Sequence, residues 1–284
     1  MPEFPEVETV RRQLNETISG YTVGELWFDA VSVLRPNPEK ISVELTGKKI
    51  LSVDRKGKWI VINFEDTTSC LVIHLKLTGR LFVKRIDEKQ APYTHVILGL
   101  ARNTICSFSE NNCDTTLQFS TMRKFGYLEV MKKAELMEKF SNLGPDFYED
   151  VTLNMFADAL ASRKIAIKTL LMNQDILSGI GNIYANDALW MAKIDPQTKA
   201  HSLDKGQREG LFTALKEVLA EGLALGGASD QWFLNVFGEK GGYQNHFKVY
   251  GKKGTPCTRC GNEIKYTKIA GRGTYYCSSC QHNL

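Results

Sequence analysis

The spacing of apolar residues along the chain predicts a β-rich first half and a helical second half. Over residues 1–14, apolar side chains recur at helical spacing and predict a helix. From about residue 21 to residue 131, short β-rich runs alternate with turn residues, which is typical of an antiparallel sandwich or barrel. The predicted strands span residues 22–28, 59–64, 71–75, 80–84, 95–100, 104–108, 116–119 and 127–130.

After Lys132 the pattern becomes helical. Gly226-Gly227 is a suitable stop for the last of these helices, and the final 35 or so residues hold four of the seven cysteines. We therefore expect an N-terminal helix and β-sandwich (1–133), a helical domain (134–246) and a small cysteine-bearing module (247–284). The predicted helices span residues 134–142, 153–162, 167–173, 183–192 and 207–225.

Composition and the N-terminal segment indicate the class of protein and its cellular compartment. An apolar fraction of 43% and a charged fraction of 24% are typical of a globular protein. No run of about 18 apolar residues is present, which excludes an ordinary membrane-spanning helix. The first eight residues carry acids where a signal peptide carries bases and then an apolar stretch. We expect a cytoplasmic chain with no membrane partner and with reduced thiols.

The distribution of charge is more informative than its total of +4. From Lys240 to Leu284 there are eight Lys or Arg residues against one acid, Glu263. A basic tail on a nearly neutral body indicates a polyanionic partner, although a solvated basic end is the alternative at this point.

The four C-terminal cysteines have the spacing of a zinc site. Two C-x2-C pairs, Cys257/Cys260 and Cys277/Cys280, are separated by sixteen residues. Four thiolates close the coordination sphere, so the zinc is expected to be structural. Disulfides are the alternative. The other three, Cys70, Cys106 and Cys113, lack ligand spacing and are expected to be buried or bystander thiols.

The segment between the two cysteine pairs predicts a basic β-hairpin. Arg272 lies near its tip, flanked by Gly271 and Gly273. Glycines at both neighbours permit a tight turn and a close approach to a ligand backbone. A basic hairpin on a zinc module is suited to phosphate contact.

The N-terminus offers a reactive group. Removal of Met1 would expose the secondary amine of Pro2, and an α-amino group has a reference pKa of about 7.7–8.0. An appreciable fraction is then neutral and nucleophilic at physiological pH. Such an amine can attack an aldehyde-like carbon to form an iminium, and the adjacent Glu3 could move protons. These residues alone are only a weak indication of catalysis by the N-terminus.

Several segments, in chain order, together resemble the motifs of the bacterial formamidopyrimidine-DNA glycosylase family of the zinc-finger type. The opening Met-Pro-Glu-Phe-Pro-Glu-Val-Glu-Thr matches closely, and the other matches span nearly the whole chain. They are Arg55-Lys-Gly-Lys58-Trp, residues 73–79, Met122-Arg123-Lys124-Phe125-Gly126, Leu143-Gly-Pro-Asp146, residues 179–185, Val249-Tyr-Gly251, and the cysteine module with residues 270–274.

The resemblance implies a bacterial base-excision repair enzyme that binds duplex DNA containing oxidised bases or abasic sites and acts as a monomer. It would remove oxidised purines, formamidopyrimidines and 8-oxoguanine, through a Schiff base on the N-terminal proline, and then nick the strand by β,δ-elimination. The implied fold is a β-sandwich, a helix–two-turn–helix domain and a zinc finger that holds one structural zinc ion.

The resemblance also implies residue roles. Pro2 would attack C1′ of the flipped nucleotide, Glu3 would act in acid/base steps, and Glu6 would support this site. Lys58 would shuttle a proton in β-elimination, and Arg272 would contact the phosphate beside the lesion. The residues at DNA-binding positions are His74, Leu77, His95, Arg123, Phe125, Arg163, Lys168 and Asn182.

These roles are physically coherent. An enzyme that acts at C1′ extrudes its nucleotide, and the vacated stack must be filled. Arg123 can hydrogen-bond the orphaned base, and Phe125 can wedge between bases. Leu77 would fill the remaining void.

Three features depart from the family pattern and bear on lesion preference. Leu77 stands where methionine is usual in the oxidised-purine branch, and Thr121 replaces an aspartate before the intercalating loop. The loop 229–237 is more aromatic than the usual lesion-capping loop. Three other interpretations stay open: an endonuclease VIII-like enzyme for oxidised pyrimidines, a non-catalytic lesion-binding paralogue, and a zinc-ribbon RNA-binding or transcription protein.

Overall fold

The computed structural model describes residues 1–230 and 232–282, which form two compact units. The first unit comprises Met1–Ser141 and Gly226–Gly242. The second comprises Asn142–Leu225 and Tyr243–Leu284. Within the described ranges, no helix is long and apolar enough to cross a membrane.

The first unit is a two-sheet β-sandwich preceded by a helix, as the pattern predicts. One sheet has the order β1-β7-β8-β6 and is antiparallel, and the other has the order β2-β9-β5-β4-β3, with β2 parallel to β9. Its elements are α1 (Phe4–Ile18), β1 (Thr22–Phe28), β2 (Leu34–Arg35), α2 (Pro38–Leu45), β3 (Ile50–Lys56), β4 (Trp59–Phe64), β5 (Ser69–His74), β6 (Gly79–Arg85), β7 (Thr94–Ala101), β8 (Thr115–Thr121), β9 (Tyr127–Lys132) and α3 (Lys133–Phe140).

The core of this unit explains the sequence pattern. Apolar residues of α1, both sheets and the returning segment 226–242 form one cluster, which includes Leu14, Ile73, Phe119 and Val236. Strand β5 is buried along its whole length because its other face packs beside α3. A strand covered on both faces reads as a continuous apolar run and not as an alternation.

The prediction of a strand at residues 104–108 is wrong. These residues lie in a loop in which Cys106 and Cys113 form a disulfide, so the expectation that both are thiols is also wrong. Their side chains pack with Ala101 and Phe108 in a small cluster of their own. Cys70 is a buried free thiol, as expected.

The second unit is helical and ends in a hairpin. Helix α7 stops at two glycines with positive φ, Gly226 and Gly227, in agreement with the predicted stop. Asp187 on α6 accepts hydrogen bonds from the amides of Val249 and Tyr250 and holds that segment to the helix. The elements are α4 (Leu153–Ala161), α5 (Ile167–Leu171), α6 (Asn182–Met191), α7 (Lys205–Ala224), β10 (Lys265–Ile269) and β11 (Arg272–Tyr276).

Two glycines give a test of the packing. A Cβ on Gly24 in β1 would lie 2.3 Å from the Cys106 carbonyl oxygen, whereas a Cβ on Gly210 in α7 would meet nothing within 4 Å. We expect Gly24→Ala to lower the free energy of unfolding by about 1–3 kcal/mol. Gly210→Ala should raise it by about 0.5–1 kcal/mol, because alanine is the better helix former. Urea unfolding of both variants measures this, and equal midpoints would contradict the packing around Gly24.

Candidate functional site

The N-terminus of the first unit is held by a buried carboxylate. Pro2 and Glu3 are buried. Glu6, on the first turn of α1, accepts a hydrogen bond from the Glu3 amide at 2.7 Å with Oε2 and one from the Ala228 amide at 2.7 Å with Oε1. A Cβ on Gly227, which has a φ of +86°, would lie 2.7 Å from Glu6 Cγ. The first residues of the chain and the returning segment therefore share one anchor.

A second buried carboxylate sets the turn that carries Lys58. Glu8 accepts from Arg55 Nε at 2.9 Å, and Arg55 Nη1 donates to the Gly57 carbonyl at 3.0 Å. Burial raises the pKa of Glu8, but hydrogen bonds from Arg11, Arg12 and Arg55 more than compensate and hold that pKa below its usual value. Lys58 follows directly and is 3% exposed. The predicted proton-shuttling lysine is thus a buried side chain on a fixed turn.

His74 is a neutral, oriented imidazole. Its Nδ1 accepts from the Lys76 amide at 2.9 Å, so Nε2 carries the proton. The ring lies 4.7 Å from the Trp59 ring and 6.0 Å from that of Tyr127. Burial, with Lys76 and Lys58 nearby, lowers the pKa of His74 to about 3. Its predicted DNA contact is therefore restricted to a neutral N–H donor.

The three residues predicted to enter the base stack are exposed. Phe125 has 56% of its surface exposed and Leu77 has 37%, although both are large and apolar. Arg123 lies on the loop between β8 and β9, with its guanidinium 5.5 Å from the Phe125 ring centroid. A core position for Phe125 is therefore excluded. His95, the remaining predicted contact in this unit, pairs through Nδ1 with Asp29 Oδ1 at 2.6 Å.

The loop 229–237, at the position of the family's lesion-capping loop, packs on the sandwich through part of its described residues. Phe233 and Val236 enter the core, and the Val83 amide donates to the Val236 carbonyl at 3.0 Å. The Trp232 carbonyl accepts from Arg80, whose guanidinium lies 5.5 Å from the indole centroid. Gln231, within the loop, is outside the described residues.

In the second unit, Lys168 holds the strand that begins at Arg272. Its buried ammonium donates to the Gly273 carbonyl and to Thr274 Oγ1, both at 2.7 Å, and to Asn186 Oδ1 at 3.2 Å. Asn186 Oδ1 also accepts from the Tyr275 amide at 2.9 Å. The sequence analysis did not single out Asn186, because an asparagine inside a helix carries no motif.

Arg272 itself is exposed at the predicted hairpin tip. Ala270 and Gly271 both have positive φ, 46° and 74°, as a two-residue hairpin turn requires. Asn182 is the first residue of α6, and its Oδ1 accepts from Asn186 Nδ2 at 3.3 Å. Arg163 follows α4 and donates to the Ala159 carbonyl at 2.7 Å.

The four cysteines form a cluster that could hold a metal ion. All their sulfur atoms lie within 4.8 Å of one another. The Trp190 indole donates to Cys257 Sγ at 3.3 Å, and the Arg259 guanidinium lies 4.0 Å from the Trp190 ring centroid. The structure therefore confirms that the four cysteines lie close enough together to bind one metal ion, as their spacing predicts.

Comparison with known proteins identifies three matching family models. They are the formamidopyrimidine-DNA glycosylase N-terminal domain (residues 1–128), the H2TH domain of the same glycosylase (143–233), and the zinc finger found in FPG and IleRS (254–283). A formamidopyrimidine-DNA glycosylase of Lactobacillus delbrueckii subsp. bulgaricus is 36% identical over 286 residues, which cover 99% of each chain.

Two solved structures of Lactococcus lactis FPG share the fold. A variant in complex with DNA containing Fapy-dG has a TM-score of 0.89 at 32% identity. The wild-type protein in complex with DNA containing an oxidised pyrimidine has a TM-score of 0.88 at 33% identity. In both cases the match covers 99% of this chain and 100% of the other.

The state of His74 makes folding stability depend on pH. The unfolded chain binds a proton below about pH 6.5, whereas the folded protein binds it only near pH 3, so acidification favours unfolding between these values. His74→Asn keeps an acceptor and does not titrate. We expect the loss of stability between pH 7 and pH 5 to be smaller in this variant by about 1–2 kcal/mol. Urea unfolding at the two pH values measures it, and equal losses in both proteins would contradict a buried neutral ring.

Proposed function

The chain belongs to the formamidopyrimidine-DNA glycosylase family, and we propose that it is a bifunctional DNA glycosylase/AP lyase that removes oxidised purines from duplex DNA. The substrates would be formamidopyrimidines and 8-oxoguanine, and the abasic site would then be nicked. The observation that carries this proposal is the buried N-terminus, in which Glu6 holds the Glu3 amide and thereby places Pro2.

The covalent step requires the amine of Pro2 without Met1. Its lone pair would attack C1′ as the glycosidic bond breaks, and the bonding electrons would leave with the base, which takes up a proton. Glu3 would protonate the ring oxygen as the sugar opens, which yields an iminium at C1′. A protein that retained Met1 would have an amide at this nitrogen and could not attack.

The iminium prepares strand cleavage. It acidifies the C2′ hydrogen, and removal of that proton expels the 3′ phosphate in β-elimination. Lys58, buried on the turn that Arg55 holds, would shuttle this proton. A second elimination would expel the 5′ phosphate, which Arg272 would contact and assist.

Base extrusion would depend on the exposed wedge residues. Arg123 would hydrogen-bond the orphaned base, Phe125 would insert between neighbouring bases, and Leu77 would fill the remaining void. Phe125 and Leu77 lie at the protein surface, with 56% and 37% of their surface exposed, so both side chains are available to contact bases.

Phosphate contacts would come from both units. We expect His74 to donate through its neutral Nε2 and His95, Arg163 and Asn182 to contact the backbone. The resemblance puts Lys168 at a phosphate-contacting position, but its ammonium is buried and its three N–H donors bind Asn186, Gly273 and Thr274. Because these hydrogen bonds hold β11, we assign Lys168 the role of positioning Arg272 instead of contacting phosphate. The protein would bind DNA as a monomer.

The four-cysteine cluster would hold a structural zinc ion. A Zn–S distance of about 2.3 Å in a tetrahedron requires sulfur atoms about 3.8 Å apart. The Cys257–Cys280 and Cys260–Cys277 sulfur separations, 3.9 and 3.5 Å, fit this value. Bound zinc would brace the hairpin, and four thiolates leave no position for substrate.

Oxidised pyrimidines are a second candidate substrate class. The Lactococcus lactis relative has been solved with DNA that contains one. Leu77, at the predicted void-filling position, and Thr121, just before the predicted intercalating loop, both depart from the family pattern. Side-by-side excision of 8-oxoguanine and thymine glycol separates the two classes.

Product analysis on lesion-bearing duplexes tests the proposed function. Wild-type protein should release the oxidised purine and give both elimination products. Glu3→Gln should reduce base release by about 100-fold or more. Arg272→Ala should weaken binding and suppress the second elimination, whereas its hairpin neighbour Lys268→Ala serves as a matched control and should stay within about twofold. Base release by Glu3→Gln at the wild-type rate would contradict the assigned machinery.

Zinc removal tests the second unit. The chain should contain one zinc ion, and chelation should lower DNA affinity by about tenfold or more, because the hairpin that carries Arg272 loses its brace. Trp190→Phe, which removes the hydrogen bond to Cys257 but keeps all four ligands, should lose zinc to a chelator faster than wild type. Unchanged DNA affinity after complete zinc loss would contradict the structural role.

A further inference from the structure

The two segments that carry the wedge residues are joined by a pair of threonine hydroxyls. Thr78, next to Leu77, accepts a hydrogen bond from the Arg123 amide at 3.2 Å through Oγ1. The same oxygen lies 3.3 Å from Thr121 Oγ1. Both threonines are buried, at 5% and 0% exposure, although Leu77 and Phe125 beside them are exposed.

The backbones of the same two segments are also in close contact. A Cβ on Gly126 would lie 3.0 Å from the Leu75 carbonyl oxygen and 3.1 Å from that of His74. Strand pairing aligns Gly79 with Thr121, and the Gly79 amide donates to the Leu75 carbonyl at 2.8 Å. The two turns are therefore in backbone contact at their bases, and the Thr78 hydroxyl adds a side-chain link between them.

Both turns contain a residue in the left-handed region of φ, a conformation that the surrounding contacts must hold in place. Lys76 and Lys124 both have φ of +51°, a region that L residues adopt only when their surroundings hold them there. The amide of Arg123, one residue before Lys124, is fixed by Thr78. A fixed main chain at Arg123 limits where its guanidinium can reach, and hence which edge of an orphaned base it can hydrogen-bond.

We propose that Thr78 and Thr121 are positioning residues that hold Leu77, Arg123 and Phe125 in one register, so that both segments enter the base stack as a single rigid wedge. The link is uncharged, because the hydroxyl of Thr121 stands where the family pattern has an aspartate. It sets how strongly the enzyme discriminates the base opposite the lesion. This inference rests on the proposed function.

Thr78→Val tests the proposal, because valine keeps the shape of threonine and removes the hydroxyl. Thr78→Ser keeps the hydroxyl and is the matched control. Three measurements are needed: the excision-rate ratio of 8-oxoguanine opposite cytosine and opposite adenine, the stopped-flow fluorescence of 2-aminopurine beside the lesion, and borohydride trapping on a single-stranded abasic oligonucleotide. The last does not require a wedge.

For Thr78→Val we expect wedge insertion slowed at least tenfold and the opposite-base ratio reduced at least fivefold, with single-strand trapping within twofold of wild type. Thr78→Ser should match wild type in all three, and Thr121→Val should change the first two in the same direction as Thr78→Val. An unchanged opposite-base ratio and insertion rate in Thr78→Val would overturn the proposal, as would equal losses in Thr78→Ser. Wild-type protein that forms no trapped adduct would overturn the proposed function itself.

Discussion

The carboxylate of Glu6 is the constraint on which the candidate active site depends. It is buried at the first turn of α1, and each of its oxygens accepts one backbone amide at 2.7 Å, from Glu3 and from Ala228. A buried carboxylate is costly unless such donors satisfy it. The chain therefore cannot move its first residues without leaving an acceptor unmet. The same bonds close the returning segment onto the sandwich, and a side chain on Gly227 would collide with Glu6.

A second carboxylate places the rest of the proposed chemistry. Glu8, two residues after Glu6 on α1, accepts a hydrogen bond from Arg55, which in turn donates to the Gly57 carbonyl just before Lys58. The proposed nucleophile, proton-moving acid and proton-shuttling lysine would thus depend on two acids of helix α1. In the second unit, Lys168 and Asn186 hydrogen-bond the backbone of the strand that begins at Arg272, and so fix its position. Positioning by buried polar groups, and not exposed charge, characterises both units.

Most of the strands and the cysteine cluster could be predicted from the sequence. The elements and contacts that could not be predicted have physical reasons. Strands such as β1 and β4 were predicted with the bounds the structure has, because their β-branched and aromatic runs end at turn residues. Strand β3 escaped prediction because Asp54, Arg55 and Lys56 break its apolar pattern. Arg55 pairs with Glu8, which lies 47 residues earlier in the chain, and a local sequence pattern cannot reveal such a contact. The disulfide in the loop 104–113 and the hydrogen bonds of Lys168 likewise depend on folded geometry. The cysteine cluster was predictable because metal ligation imposes its own spacing.

Borohydride trapping followed by peptide mapping tests the central claim, that the held N-terminus is the nucleophile. The protein would be incubated with an abasic-site duplex, reduced and digested, and the modified peptide identified by mass. The account predicts a reduced adduct on the N-terminal peptide, with Met1 absent and the added mass on the nitrogen of Pro2. An adduct on Lys58 or another lysine, or a stable adduct on a chain that retains Met1, would contradict it.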